Sequence, residues 1–150
     1  MKRLIICGKA NRGETTADDF KAKGTELWML GTDARKGADR YFELHGIKVE
    51  HENVTYELPE KVYETGLPIN NSISALLVYA WLEGYKDIKL VGCQMWAKHE
   101  YQEARPTLAY CIGYIAAHGV KVEWDGLPLN KFYGAKDKAP EVQTEPAEEV

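Results

Sequence analysis

Arg3-Leu4-Ile5-Ile6-Cys7-Gly8 is a short, continuously apolar run closed by glycine. A strand with one wet face alternates polar and apolar residues, so an unbroken run of this length reads as a strand buried on both faces. Glu26-Leu27-Trp28-Met29-Leu30-Gly31 and Asp87-Ile88-Lys89-Leu90-Val91-Gly92 repeat the form, and Val120-Lys121-Val122-Glu123-Trp124 adds a strand after Gly119. Between these runs lie helical signals. Thr15 and Thr16 precede Ala17-Asp18-Asp19-Phe20, which places a cap and then carboxylates in a first helical turn, with Gly24 to end the helix. Asn70-Asn71-Ser72 caps a helix over residues 73–84, where Ile73, Leu76, Leu77, Ala80 and Trp81 recur at helical spacing. Residues 104–118 form a further helix. Residues 38–45 read as a short helix and residues 47–54 as a third strand of uneven polarity.

Strands alternating with helices specify βαβ units. Right-handed crossovers then restrict the topology. The expected fold class is α/β, a Rossmann-like, doubly wound, mostly parallel sheet of about five strands in a three-layer α/β/α arrangement. One such domain spans residues 1–135. Residues 136–150 hold Pro140, Pro146 and several glutamates with little that is apolar, and are expected to form a disordered acidic tail.

The composition excludes some classes of function. A net charge of −4 and the lack of any Lys/Arg-rich run argue against a nucleic-acid surface. Residues 4–7 are too few for a signal segment or membrane span, and the apolar stretch at residues 73–82 is interrupted by Ser74. A soluble, cytoplasmic protein with no membrane partner is expected. Cys7, Cys93 and Cys111 lack metal-like spacing and are expected to be reduced, buried thiols. Glu43 and His45 are not expected to pair on a metal, because i and i+2 diverge on a helix. No metal site is expected.

In a doubly wound sheet the strand-to-helix turns lie at one edge, where ligands bind. The first turn, Gly8-Lys9-Ala10-Asn11-Arg12-Gly13, offers Gly8, Lys9, Asn11 and Arg12 to an anion such as phosphate. It is neither a complete G-x-G-x-x-G nor a Walker A, and a tight turn with solvated charges accounts for it equally well. The second turn offers Thr32 and Asp33, and the third offers Asn70, Asn71 and Ser72 as hydrogen-bonding partners for phosphate, ribose or base. Helix capping alone explains that last cluster as well. After Gly92, a loop over residues 94–105 gathers Gln94, Trp96, Lys98, His99, Glu100, Tyr101, Glu103 and Arg105. There His99 or Glu100 would act as a general base, Arg105 would clamp an anion, and Tyr101 would stack on a base. Trp96, Tyr110, Tyr114 and Tyr133 exceed what a small core needs, and a homo-oligomer is expected from them.

The order of Asp39-Arg40-Tyr41-Phe42-Glu43-Leu44-His45, Leu67-Pro68-Ile69-Asn70-Asn71-Ser72-Ile73, residues 83–92, Glu100-Tyr101 and Arg105-Pro106 resembles a family of small Rossmann-like proteins of tailed bacteriophages and prophages. That family is distantly similar to the MptE-like hydroxymethylpterin pyrophosphokinases and to nucleotide-sugar sialyltransferases. The resemblance covers roughly residues 3–123. It implies a nucleotide-type ligand near Gly8, Ser72 and the loop after Gly92, and a location in the host cytoplasm. The sequence departs from the family pattern at two points. Gln94 stands where relatives carry Asp, and the first turn lacks their second Gly and their Ser. An amide at that strand tip hydrogen-bonds a ligand but does not balance the charge of Mg²⁺. Three readings follow: a nucleotide-dependent phosphoryl or glycosyl transferase, a non-catalytic binder of a nucleotide or nucleotide-derived signal (counter-defence, for example), and a structural or assembly protein.

Overall fold

A computed structural model of the protein describes residues 3–8, 24–30, 37–48, 53–93 and 99–124, with the backbone alone for 99–102. Six strands and two α-helices follow in chain order: β1 (Arg3–Cys7), β2 (Thr25–Leu30), β3 (Arg40–Phe42), β4 (Val54–Thr55), α1 (Ser72–Leu82), β5 (Asp87–Val91), α2 (His99–Ala117) and β6 (Lys121–Trp124). A 3-10 turn at Glu60–Val62 precedes α1.

The strands form one sheet in the order β4-β3-β2-β1-β5-β6, and every neighbouring pair is parallel. This is the expected α/β, Rossmann-like architecture, with six strands where about five were counted. The chain steps outward from β1 to β4, and α1 then carries it back to β5 beside β1. Strand order therefore reverses between β1 and β5, where Cys7 stands level with Met29 on one side and Val91 on the other.

Alternation along the buried strands divides the core in two. Leu4, Ile6, Trp28, Phe42, Ile88 and Leu90 face α1 and α2. Ile5, Cys7, Leu27, Met29, Tyr41 and Val91 form the opposite cluster. The helix expected from Thr15, which would cover that second face, lies outside the described residues. So does the acidic tail.

Three boundaries differ from the sequence reading. Residues 40–42 are a strand and not part of a helix over 38–45. The backbone N–H of Asp39 bonds to the Leu27 carbonyl at 2.8 Å, and the Asp39 carboxylate accepts from the Leu27 N–H at 2.8 Å. Docking on β2 thus sets the conformation, and three residues are too few to display a period. The expected strand over 47–54 contracts to Val54–Thr55. Ile47, half-exposed at 52 %, lies outside any strand. Finally, α2 begins at His99 and not at residue 104, so the polar segment after Gly92 is in part the first two turns of a helix. Pro106 sits inside that helix. A proline usually marks a first turn, and here it falls in the third.

Candidate functional site

Gly8 and Gly92 close the two central strands at the point where strand order reverses. The Gly8 N–H donates to the Val91 carbonyl at 2.8 Å. A Cβ at position 8 would stand 2.6 Å from the Gly92 carbonyl oxygen and 3.1 Å from the Cys93 sulfur. Gly92 itself has φ +70, in the left-handed region that favours glycine. The ends of β1 and β5 are therefore drawn together backbone to backbone. The absence of a side chain at Gly8 is explained by Gly92, whatever binds above it.

A second group lies at the start of α1. Asn71 is the N-cap, and its side-chain oxygen accepts from the Ser74 N–H at 2.9 Å. Its amide donates to the Asn70 side-chain oxygen at 2.8 Å and to the Ala104 carbonyl at 3.4 Å. The Asn70 amide in turn reaches the Glu103 carbonyl at 3.2 Å. Pro106 has no N–H to give to the carbonyl one turn earlier, and the next two carbonyls along α2 take side-chain amides from the two residues that precede α1. These contacts tie Asn70 and Asn71 to the α2 backbone just before Arg105, which is half-buried. The cluster thus caps one helix and ties it to another.

Ser72 has a different partner. Its hydroxyl lies 3.1 Å from Nε2 of His45. The His45 backbone N–H donates to the Glu43 carboxylate at 2.8 Å, and Glu43, just beyond the C-terminal end of β3, is only 1 % exposed. The Glu43 N–H bonds to the Thr55 carbonyl at 3.0 Å, which holds this corner to β4. Glu43 and His45 therefore cooperate through the backbone on a strand end, where the sequence reading had them diverging on a helix. Among the described residues no group of three or more His, Cys, Asp and Glu could hold a metal ion.

The cysteines are buried thiols, as expected. Burial pushes the Cys93 thiol up to about 12, with the nearby Cys7 adding to the effect. Burial likewise raises Cys111 to about 11, against the opposing influence of the Ser74 hydroxyl. Both are protonated at neutral pH and poor nucleophiles.

Arg40 was not singled out from sequence. Its guanidinium lies 5.0 to 5.3 Å from the ring centres of Phe42, Trp28 and Tyr79, and it donates to the Tyr79 hydroxyl at 3.2 Å. Glu26 accepts from the Trp28 indole at 3.0 Å and from the Tyr85 hydroxyl. Burial and this carboxylate hold the Tyr85 phenol above its ordinary value. The cluster fixes Tyr79, in the second half of α1, to β2 and β3. Its signal lay in the i and i+2 pair Arg40 and Phe42, legible only once β3 is read as a strand.

No family model, curated protein or solved structure matches this chain. Of the residues expected to bind, Gly8, Asn70, Asn71, Ser72 and Arg105 are described with their side-chain environment. His99, Glu100 and Tyr101 open α2, where the backbone alone is described. Lys9, Asn11, Arg12, Thr32, Asp33 and Gln94 lie outside the described residues. No described helix is long and apolar enough to cross a membrane.

Proposed function

We propose that this protein binds a nucleotide or another phosphate-bearing small molecule in the crevice at the C-terminal ends of β1 and β5. The observation that carries this reading is the reversal of strand order between those two strands. In open parallel sheets the chains on either side of such a point leave in opposite directions, so a cleft opens there. Lys9, Asn11 and Arg12 follow β1 directly, and Gln94 follows β5. Cations beside free N–H groups favour phosphate, and the resemblance to the phage family agrees with a nucleotide-type ligand.

A thermal-shift screen of nucleoside di- and triphosphates and sugar nucleotides tests this. A ligand at 100 times its Kd stabilises by about 2.7 kcal/mol. At least one member of the panel is expected to raise Tm, and Lys9→Ala with Arg12→Ala is expected to diminish the rise. No shift with any member would sink the proposal and leave an assembly role.

One contact favours a second reading, a phosphoryl or glycosyl transferase. The Ser72 hydroxyl on His45 Nε2 pairs a potential acceptor with a base. His99 and Glu100 are the other candidates for that role. Turnover of a panel nucleotide lost in His45→Ala, and retained in His99→Ala and Glu100→Ala, would assign the proton transfer to His45. Binding without turnover returns the non-catalytic reading, to which Gln94 in place of an acid is suited.

A further inference from the structure

From residue 106 to residue 117, α2 carries no charged side chain. Its inner face is the core: Leu108, Cys111, Ile112 and Ile115 are buried. Its outer face consists of Pro106, Ala109, Tyr110, Gly113, Tyr114, Ala116 and Ala117, all exposed, with Tyr110 at 58 % and Tyr114 at 38 %. A solvated helix face ordinarily holds charge at these positions.

Gly113 sharpens the point. A glycine in mid-helix sacrifices backbone entropy relative to alanine, and a Cβ placed at Gly113 would meet nothing within 4 Å among the described residues outside its own helical turn. Nothing among the described residues of one copy therefore explains the glycine. A second backbone approaching at that point would.

We propose that the outer face of α2 is a homodimer interface in which two copies of the helix pack antiparallel about a two-fold axis passing between Tyr110 and Gly113. Each Tyr110 ring then rests over Gly113 of the second copy, and Pro106 meets Ala117. A two-fold axis places a surface against itself, so a like-charged patch would repel, and this face has no charge to repel. Beyond the uncharged stretch, Glu103 stands exposed at one end and His118 at the other. In this register Glu103 of each copy lies within one helical turn of His118 of the other, with the half-buried Arg105 level with that His118. Opposed helix dipoles favour the pairing. His118 is already held in place, its ring stacked on Tyr114 with centres 4.3 Å apart and its Nδ1 2.8 Å from the Tyr114 carbonyl oxygen. Trp81 meets Tyr114 edge-on at 5.7 Å and extends the patch onto α1.

One helix face is smaller than the roughly 800 Å² per partner of a standard interface, so association is expected to be concentration-dependent. Sedimentation velocity on the full chain, from about 1 µM to about 1 mM, is expected to show a monomer–dimer equilibrium. Gly113→Arg and Tyr110→Glu are each expected to weaken it at least about tenfold, with circular dichroism unchanged. Should either variant misfold, Gly113→Cys replaces it, and mild oxidation is expected to yield a disulfide-linked dimer. A chain monomeric throughout, whether because the face is solvated or because its own tail covers it, overturns the proposal. So does a dimer indifferent to both substitutions, or a Gly113→Cys chain that fails to cross-link.

Discussion

The two helices on one face of the sheet are built to opposite specifications. Residues 73–80 of α1 are buried without a break. The sheet lies beneath this helix, and α2 and the turn at Glu60–Val62 pack against it. Its sequence, Ser-Ile-Ser-Ala-Leu-Leu-Val-Tyr-Ala-Trp-Leu, contains no charge. By contrast α2 buries one stripe and exposes the other, yet its exposed stripe is nearly as free of charge as α1. An uncharged helix is explained by burial in the first case. In the second the single chain supplies no cover among the described residues. The same composition thus has two meanings, and only the placement of the helix in the fold tells them apart.

Exchanging chemistry between the helices gives the largest predicted contrast. Ala80→Lys buries an ammonium at a fully buried position and is expected to cost more than about 4 kcal/mol, enough to abolish a cooperative melt. Ala109→Lys, on the exposed stripe, is expected to stay within about 0.5 kcal/mol of the parent at dilute concentration. Equal losses would show that α2 is as enclosed as α1. Next in size is Leu77→Ala, where a fully buried side chain leaves a cavity walled on every side. A loss of about 3 kcal/mol in urea unfolding is expected. A loss below about 1 kcal/mol would mean that α1 relaxes into the space, unlike a helix held from all directions.

Smaller effects probe the seam between the helices. Asn71→Ala removes both the cap on Ser74 and the amide on Ala104, and a loss of about 1 kcal/mol is expected. Asn71→Ser retains the cap but is too short to span the seam. The difference between the two substitutions in the same unfolding assay measures the link to α2 alone. Smallest of all is Gly113→Ala. At concentrations where the chain is monomeric it is expected to gain up to about 1 kcal/mol, since the added methyl meets open space. A loss there would place a neighbour over Gly113 within the same chain.

Much of the fold was legible because parallel strands buried on both faces announce themselves as apolar runs. Residues 3–8, 26–31 and 87–92 each carry that signal, and β1, β2 and β5 lie there. The α1 helix was legible at both ends, through its asparagine cap and its spacing. The candidate site was less so. Asn70, Asn71 and Ser72 drew notice as hydrogen-bonding groups, but which groups they meet depends on α2 being alongside. His45 and Glu43 sit in a segment that reads as helix until β2 is present to pair with it.

The sequence by itself determined the alternation of strands and helices, the closing glycines, the buried thiols and the start of α1. Each is a local consequence of side-chain polarity, backbone freedom or capping chemistry, and needs no distant partner. Tertiary structure alone decided the strand at Arg40–Phe42, the reversal of order between β1 and β5, the contact of Ser72 with His45, and the extension of α2 back through Pro106 to His99. Those features rest on bonds between residues far apart in the chain, whose free energy outweighs weak local preference only after the sheet has formed.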